Sequence, residues 1–137
     1  MHDQNIEEFV SMFDAAFPEW RIGPYSGQPR RCLAFEIPAP SAAIEGSLAI
    51  SVTAIAIVVR LHAAEQTFSD FAEAVAQIRS LVDEGSVVQS WYAGPYLRRA
   101  AFVVASERPL AGHLIRGETR ITRRSWRGTH DLDLNVN

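Results

Sequence analysis

Apolar and polar residues alternate along this chain with two periods, and each change of period marks a new element. Ile6, Phe9, Val10, Phe13, Ala16 and Phe17 recur three and four residues apart, which gathers them on one face of a helix, with Glu7, Glu8, Ser11 and Asp14 turned to water. Asn5 followed by Glu8 has the spacing of a capping box, and Pro18 disfavours helix in the residue before it. A first helix of about thirteen residues is therefore predicted. Gly23, Pro24, Gly27 and Pro29 make residues 20–31 a connector, in which Trp20 and Tyr25 either line a groove or cover the end of the helix. Leu33, Phe35 and Ile37 then alternate with Ala34 and Glu36, the pattern of a half-buried strand, until Pro38 and Pro40 stop it. Ala39 to Gly46 reads as a loop.

The longest apolar run, Ser47 to Ala64, is what the remaining elements have to cover. Ser47, Ser51, Thr53, Arg60 and His62 interrupt it and β-branched residues fill its middle, so it is read as central strands and not as a membrane-crossing helix. Leu48, Ile50 and Val52 share one parity, whereas Ile55, Ile57, Val59 and Leu61 share the other. A slip of one residue turns every side chain over, so the run holds either a tight reversal near Thr53 and Ala54 or a bulge in one long strand. Strands beyond about ten residues are uncommon, which favours the reversal.

Thr67 with Asp70 has the spacing that opens a second helix. Phe71, Ala74, Val75, Ile78, Leu81 and Val82 form its apolar face, Asp70, Glu73, Gln77 and Glu84 face out, and Gly85 suits its C-terminal stop. Val87 to Trp91 resumes the period of two, Ala93-Gly94-Pro95 marks a turn, and Leu97 to Ala105 returns as the hairpin partner. After a loop from Ser106 to Gly112 containing Pro109, Glu118 to Trp126 reads as a polar strand. Arg120, Thr122, Arg124 and Trp126 lie on one side and Thr119, Ile121, Arg123 and Ser125 on the other, so a sheet edge or a solvated face is predicted for it. The fold class that follows is α+β: one antiparallel sheet of about five to six strands with two helices packed on one face, in the order α-β-β-β-α-β-β-β.

Composition narrows this further. With 137 residues, 47% of them hydrophobic, the chain is expected to form a single domain spanning residues 1–137. The lone Cys32 has no intrachain partner and no leader-like segment opens the sequence, so a cytoplasmic location and a small buried role for the thiol are expected. All 13 basic residues are Arg. Up to Val88 five of them face twelve acids, and from Gln89 onward eight face four. Such a split either marks a surface for a polyanion or reflects two parts of one domain neutralising each other.

Few residues form patterns that carry chemistry. His62, His113 and His130 are scattered, and His130 with Asp131 and Asp133 lacks the paired spacing of a zinc site, so no metal and no other cofactor is expected; His62 reads as a hydrogen-bonded residue at a sheet rim. Neither Ser90 nor Ser125 sits in a strand-to-helix elbow, no glycine-rich loop cradles a phosphate, and nothing pairs Glu36 with Glu45 for acid–base work. The richest stretch is late: Arg98, Arg99, Arg116, Arg120, Arg123, Arg124 and Arg127 are joined by Trp91, Tyr92, Tyr96 and Trp126. Arg and aromatic side chains anchor protein interfaces through forked charge-assisted bonds and large desolvated rings. Trp91, Tyr92, Tyr96, Arg98, Arg120, Arg124, Trp126 and Arg127 are therefore the candidate partner-binding residues, some of the arginines being expected to pair with the acidic face of the second helix. A nucleic-acid groove uses the same residue types, but the acidic total charge and the lack of Lys argue against one.

The element order and the segment Ser125-Trp126-Arg127-Gly128-Thr129-His130-Asp131 resemble small bacterial immunity proteins of polymorphic-toxin systems. His130 departs from the aromatic residue that the resemblance would place after Thr129. The resemblance implies a non-catalytic, cytoplasmic protein that binds and neutralises a cognate toxin, on a fold similar to that of secretion chaperones. A small hydrolase or transferase is the rival from another class, and a nucleic-acid binder the third. Leu110 and Leu114 suggest a homodimer.

Overall fold

The computed structural model describes residues 6–22, 32–109 and 114–135. Asn5, Tyr25, Leu110 and His113, on which parts of the sequence reading fall, lie outside them. The elements are α1 (Ile6–Ala16), a 3-10 turn (Pro18–Trp20), β1 (Cys32–Pro38), β2 (Ser47–Thr53), β3 (Ile57–Leu61), β4 (Ala64–Phe68), α2 (Phe71–Val82), β5 (Ser86–Ala93), β6 (Tyr96–Val104), β7 (Arg120–Arg124) and β8 (Leu132–Asn135).

The fold is α+β, but the strands form two antiparallel sheets of four, ordered β1-β2-β3-β4 and β6-β5-β7-β8, where one sheet of five to six strands was predicted. β4 and β6 approach each other, yet no ladder joins them. Two short strands account for the larger number. β4 (AEQTF) and β8 (LDLN) are too polar to stand out by alternation, and each forms because a neighbour offers its ladder: β4 pairs with β3 from Ile57↔Phe68 to Leu61↔Ala64, and β8 with β7 from Arg120↔Asn135 to Arg123↔Leu132. β8 also changes the place of β7, which lies between β5 and β8 and not at an edge.

The central run reverses. Thr53 N–H donates to the Ala56 carbonyl at 2.9 Å, the Thr53 hydroxyl accepts from Ala56 N–H at 3.2 Å, and Val52 pairs with Ile57. The change of parity is this turn: Leu48, Ile50 and Val52 share a buried face with Ile57, Val59 and Leu61, while Ile55 at the tip is 67% exposed. The opposite face of that sheet, with Ser51 and Arg60, is open to water. Over the buried face lie α1 and α2, contributing Phe9, Phe13, Ile78 and Leu81 to a continuous core. Phe13 meets Phe35 edge-on at 5.1 Å and Phe9 meets Phe71 at 5.6 Å, ring pairs that add about 0.5–1.5 kcal/mol each beyond the area they bury.

Asp70, not Thr67, caps α2, its carboxylate accepting Glu73 N–H at 2.9 Å, because Thr67 is held in β4 opposite Val58. Trp20 covers the end of α1, stacked on Phe17 at 5.5 Å. Cys32 opens β1 at the surface, against its predicted burial, because it lies on the exposed parity of that strand. No helix among the described residues is long and apolar enough to cross a membrane.

Candidate functional site

The segment Ser125–Asp131 is organised around a carboxylate from another element. Glu84, predicted to face water, is only 8% exposed and adopts φ 62 two residues beyond the end of α2, after the C-cap Asp83. Its N–H donates to the Leu81 carbonyl at 3.2 Å and Gly85 N–H to the Ser80 carbonyl at 2.8 Å, the two closing bonds of a Schellman motif. The left-handed position of that motif usually belongs to glycine; here Glu84 holds it and Gly85 comes one residue later. What Glu84 gains is polar pairing. Arg127 N–H and Thr129 N–H each donate to its Oε2 at 3.2 Å, and the Thr129 hydroxyl donates to Oε1 at 2.8 Å. Burial pushes this carboxyl up, but hydrogen bonds from Ser125, Thr129 and the Arg127 and Thr129 backbone outweigh it, and its pKa lies below the ordinary value. Asp131 closes the loop from inside, accepting Ser125 N–H at 2.8 Å, while His130 N–H donates to Ser125 Oγ at 2.9 Å. Gly128, at φ 87, supplies the bend.

This wrapping buries Trp126, which is 3% exposed and meets Trp20 edge-on at 5.8 Å. Trp126 therefore belongs to the core and presents no binding surface. Trp91 is likewise buried, at 6% exposure, with the Arg99 guanidinium 4.0 Å above its ring. Several of the late arginines are engaged by partners within the protein. Arg99 forks onto Glu118 through Nε at 3.0 Å and Nη2 at 2.9 Å, and Ile115 N–H donates to the same carboxylate at 2.9 Å. The Arg99 bond holds Glu118 below its ordinary pKa against the opposing effect of burial. Arg123 is buried and donates to Gln89 Oε1 at 2.7 Å and to the Ala105 carbonyl at 3.3 Å, and burial lowers its pKa. Arg124 and Arg120 both reach Asp133, at 3.2 and 3.4 Å, and Arg120 also lies over the Tyr92 ring at 5.1 Å. None of these bonds involves the acidic face of α2; the acids that take the arginines are Glu118 and Asp133, both late in the chain.

What remains outward clusters at one end of the β5–β6 hairpin. Gly94, at φ 58, turns the chain, and its N–H donates to Thr119 Oγ1 at 3.2 Å, while Thr119 N–H donates to the Tyr92 carbonyl at 2.8 Å. These bonds bring the 114–119 segment beside the hairpin tip. Tyr96 is 73% exposed, Leu97 48% and Ile115 55%; Arg98 and Arg116 are exposed as well, and the charge of Arg98 helps to hold the Glu118 carboxyl below its ordinary pKa. Of the eight predicted residues, Tyr92, Tyr96, Arg98 and Arg120 thus stand at or beside this tip. Arg124 is tied to Asp133, and Arg127 is exposed on the loop beyond the far end of β7. Leu97, Ile115 and Arg116 complete the tip and were not among the eight; an apolar pair directly after a Gly-Pro turn was the signal for Tyr96 and Leu97 together.

The residues considered for catalysis do not converge. Ser90 is fully buried, and its Oγ has no hydrogen-bond partner among the described residues. Ser125 serves the loop, and Glu36 and Glu45 are exposed on β1 and in the loop after it. His62 occupies the tight β3–β4 turn at φ 55, and its Nδ1 accepts Glu45 N–H at 2.9 Å. No cluster of His, Cys, Asp and Glu among the described residues has the arrangement of a metal site.

The fold and this tip define an α+β protein of two four-stranded antiparallel sheets with an exposed basic and aromatic hairpin. None of three comparisons, with protein-family models, with curated proteins and with solved structures, gives a match to this chain.

Proposed function

We propose that this chain is a non-catalytic protein-binding module of the immunity kind, which docks an acidic partner through the tip of its β5–β6 hairpin. The observation that carries the reading is the exposure of Tyr96, Leu97 and Ile115 together with that of Arg98 and Arg116. An apolar centre rimmed by guanidinium groups is the composition of interface hot spots, and the rim supplies both orientation and encounter rate. The partner in this reading is a toxin domain, with the tip lying on its acidic surface.

Affinity capture against the products of neighbouring genes tests this. Leu97→Glu and Arg98→Glu each weaken capture at least tenfold, as expected for hot-spot positions, whereas Arg127→Ala leaves it unchanged. Undiminished capture by both tip variants would remove the tip from the account. Retention on a polyanion column that falls steeply with salt, in the absence of protein capture, would favour nucleic acid instead.

A further inference from the structure

Among the described residues, two that are not glycine have a left-handed backbone, Glu84 and His62. Glu84 anchors the Ser125–Asp131 loop, and His62 holds a second loop that meets it. Because Leu61 pairs with Ala64, β3 and β4 are joined by His62 and Ala63 alone. His62 takes φ 55 there, at a position that two-residue hairpins give to glycine, asparagine or aspartate. From that position its imidazole reaches the β1–β2 loop, residues 39–46, where Nδ1 accepts Glu45 N–H at 2.9 Å. A backbone N–H only donates, so Nδ1 carries a lone pair and the ring is the neutral tautomer with its proton on Nε2. The rest of this loop is fixed by other means. Ser41 N–H donates to the Trp126 carbonyl at 3.2 Å, Ile44 N–H donates to the Ser41 carbonyl at 3.3 Å, and the Ile44 side chain is buried in the core. The Glu45 end depends on the histidine.

We infer that His62 is an acid-sensitive latch on the β1–β2 loop: the neutral ring fastens Glu45, and a proton on Nδ1 turns the acceptor into a donor that faces another donor, so that end of the loop is released. Charged groups reach the ring from each element around it. Burial is the largest influence and lowers the His62 pKa; Glu45, from the β1–β2 loop, raises it, Arg124, at the end of β7, lowers it, and Asp131, from the Ser125–Asp131 loop, raises it, the net result lying below the ordinary 6.5. On the hairpin itself Arg60 and Glu65 are taken up by each other, Nε to Oε1 at 3.0 Å. A folded-state value below the unfolded one means that the stability contributed by the neutral ring is complete above 6.5 and is lost as pH falls from there through the lower folded value. That window opens above the range in which ordinary carboxylates titrate. Glu84, whose own pKa is depressed, keeps its hold on Arg127 and Thr129 until far lower pH. Mild acid therefore frees the Glu45 end and leaves the neighbouring loop in place.

The latch is independent of what binds the hairpin tip, and nuclear magnetic resonance of the full chain between about pH 7.5 and about pH 5 tests it. The His62 ring is expected to titrate with a midpoint below 6.5, and the Glu45 amide shift to follow it with the same midpoint. Protection of the Glu45 N–H against hydrogen exchange falls by about fivefold or more across that midpoint, while the Arg127 and Thr129 amides held by Glu84 do not respond. His62→Asn keeps a side chain that tolerates the left-handed backbone and offers a carbonyl that does not titrate, so its Glu45 amide stays constant over the range. His62→Gly relaxes the turn and supplies no acceptor, which leaves the Glu45 amide equally unprotected at both ends of the range. A His62 midpoint at or above 6.5, a Glu45 amide that does not follow it, or a His62→Asn chain with the wild-type pH response would each overturn the latch.

Discussion

Replacing Glu84 separates two opposed contributions that meet at one residue. Its φ of 62 is a left-handed conformation that costs a side-chain-bearing residue about 1–2 kcal/mol. Against this, three donors converge on its carboxylate at 2.8 to 3.2 Å, and a hydrogen bond to a charged acceptor contributes about 1.5–3 kcal/mol. Glu84→Ala removes the acceptors and keeps the strained backbone, leaving the Arg127 and Thr129 N–H groups without their partner; a loss of about 3 kcal/mol is expected, part of it recovered because the carboxylate no longer has to be desolvated. Glu84→Gly loses the same acceptors but relieves the backbone, so it is expected to be the more stable of the two by about 0.5–1 kcal/mol, the glycine's freedom in the unfolded chain offsetting part of the relief. Urea unfolding followed by far-ultraviolet circular dichroism measures both, with unchanged denaturant slopes confirming that only stability has moved. Alanine at least as stable as glycine would refute the strained backbone, and a loss below about 1 kcal/mol in both would refute the carboxylate as the loop's anchor. The pH dependence gives an independent check. The folded-state pKa of Glu84 is depressed, so its contribution is complete above the ordinary carboxyl value of 4.5 and is lost as pH falls through the lower folded value. Both variants should lose stability more gently than the wild type in that acid range.

Two further substitutions test other parts of the fold. Glu118→Gln breaks the fork to Arg99 and is expected to cost about 2 kcal/mol, less than a fully buried pair because the Arg99 side chain is 40% exposed and regains water; since the Glu118 pKa is also depressed, the deficit is largest at neutral pH and narrows on acidification below the ordinary carboxyl range, and a deficit constant with pH would contradict this. Ile55→Asp is expected to change stability by less than about 0.5 kcal/mol and Ile57→Ala to cost about 2–5 kcal/mol, although the two isoleucines share a parity; equal costs would show that the chain does not turn at residues 54–56.

The parts of this fold that were legible in the sequence are those in which a residue's fate is decided by its near neighbours. The period of Phe9 and Phe13, the alternation of Leu48, Ile50 and Val52, and the change of parity that marks the turn before Ile57 all express burial on one side of a local element. What was not legible is where polar groups find partners. Glu84 meets Arg127 and Thr129 across 43 and 45 residues, and nothing in the sequence around Glu84 signals that a loop so far away needs an acceptor. For the same reason the sequence offered Arg99, Arg123 and Arg124 either an open surface or the acidic face of α2, whereas the structure sets them against Glu118, Gln89 and Asp133. The division into two sheets is a third case, because β4 follows β3 by a two-residue turn and pairs with it whatever its own polarity. Charge counting therefore overstated the number of unengaged guanidinium groups, since Arg99, Arg123 and Arg124 each find an internal carboxylate or amide. The tip retains its candidacy on the opposite ground: at this hairpin end the fold leaves Tyr96, Leu97 and Ile115 largely exposed to water together with the exposed Arg98 and Arg116.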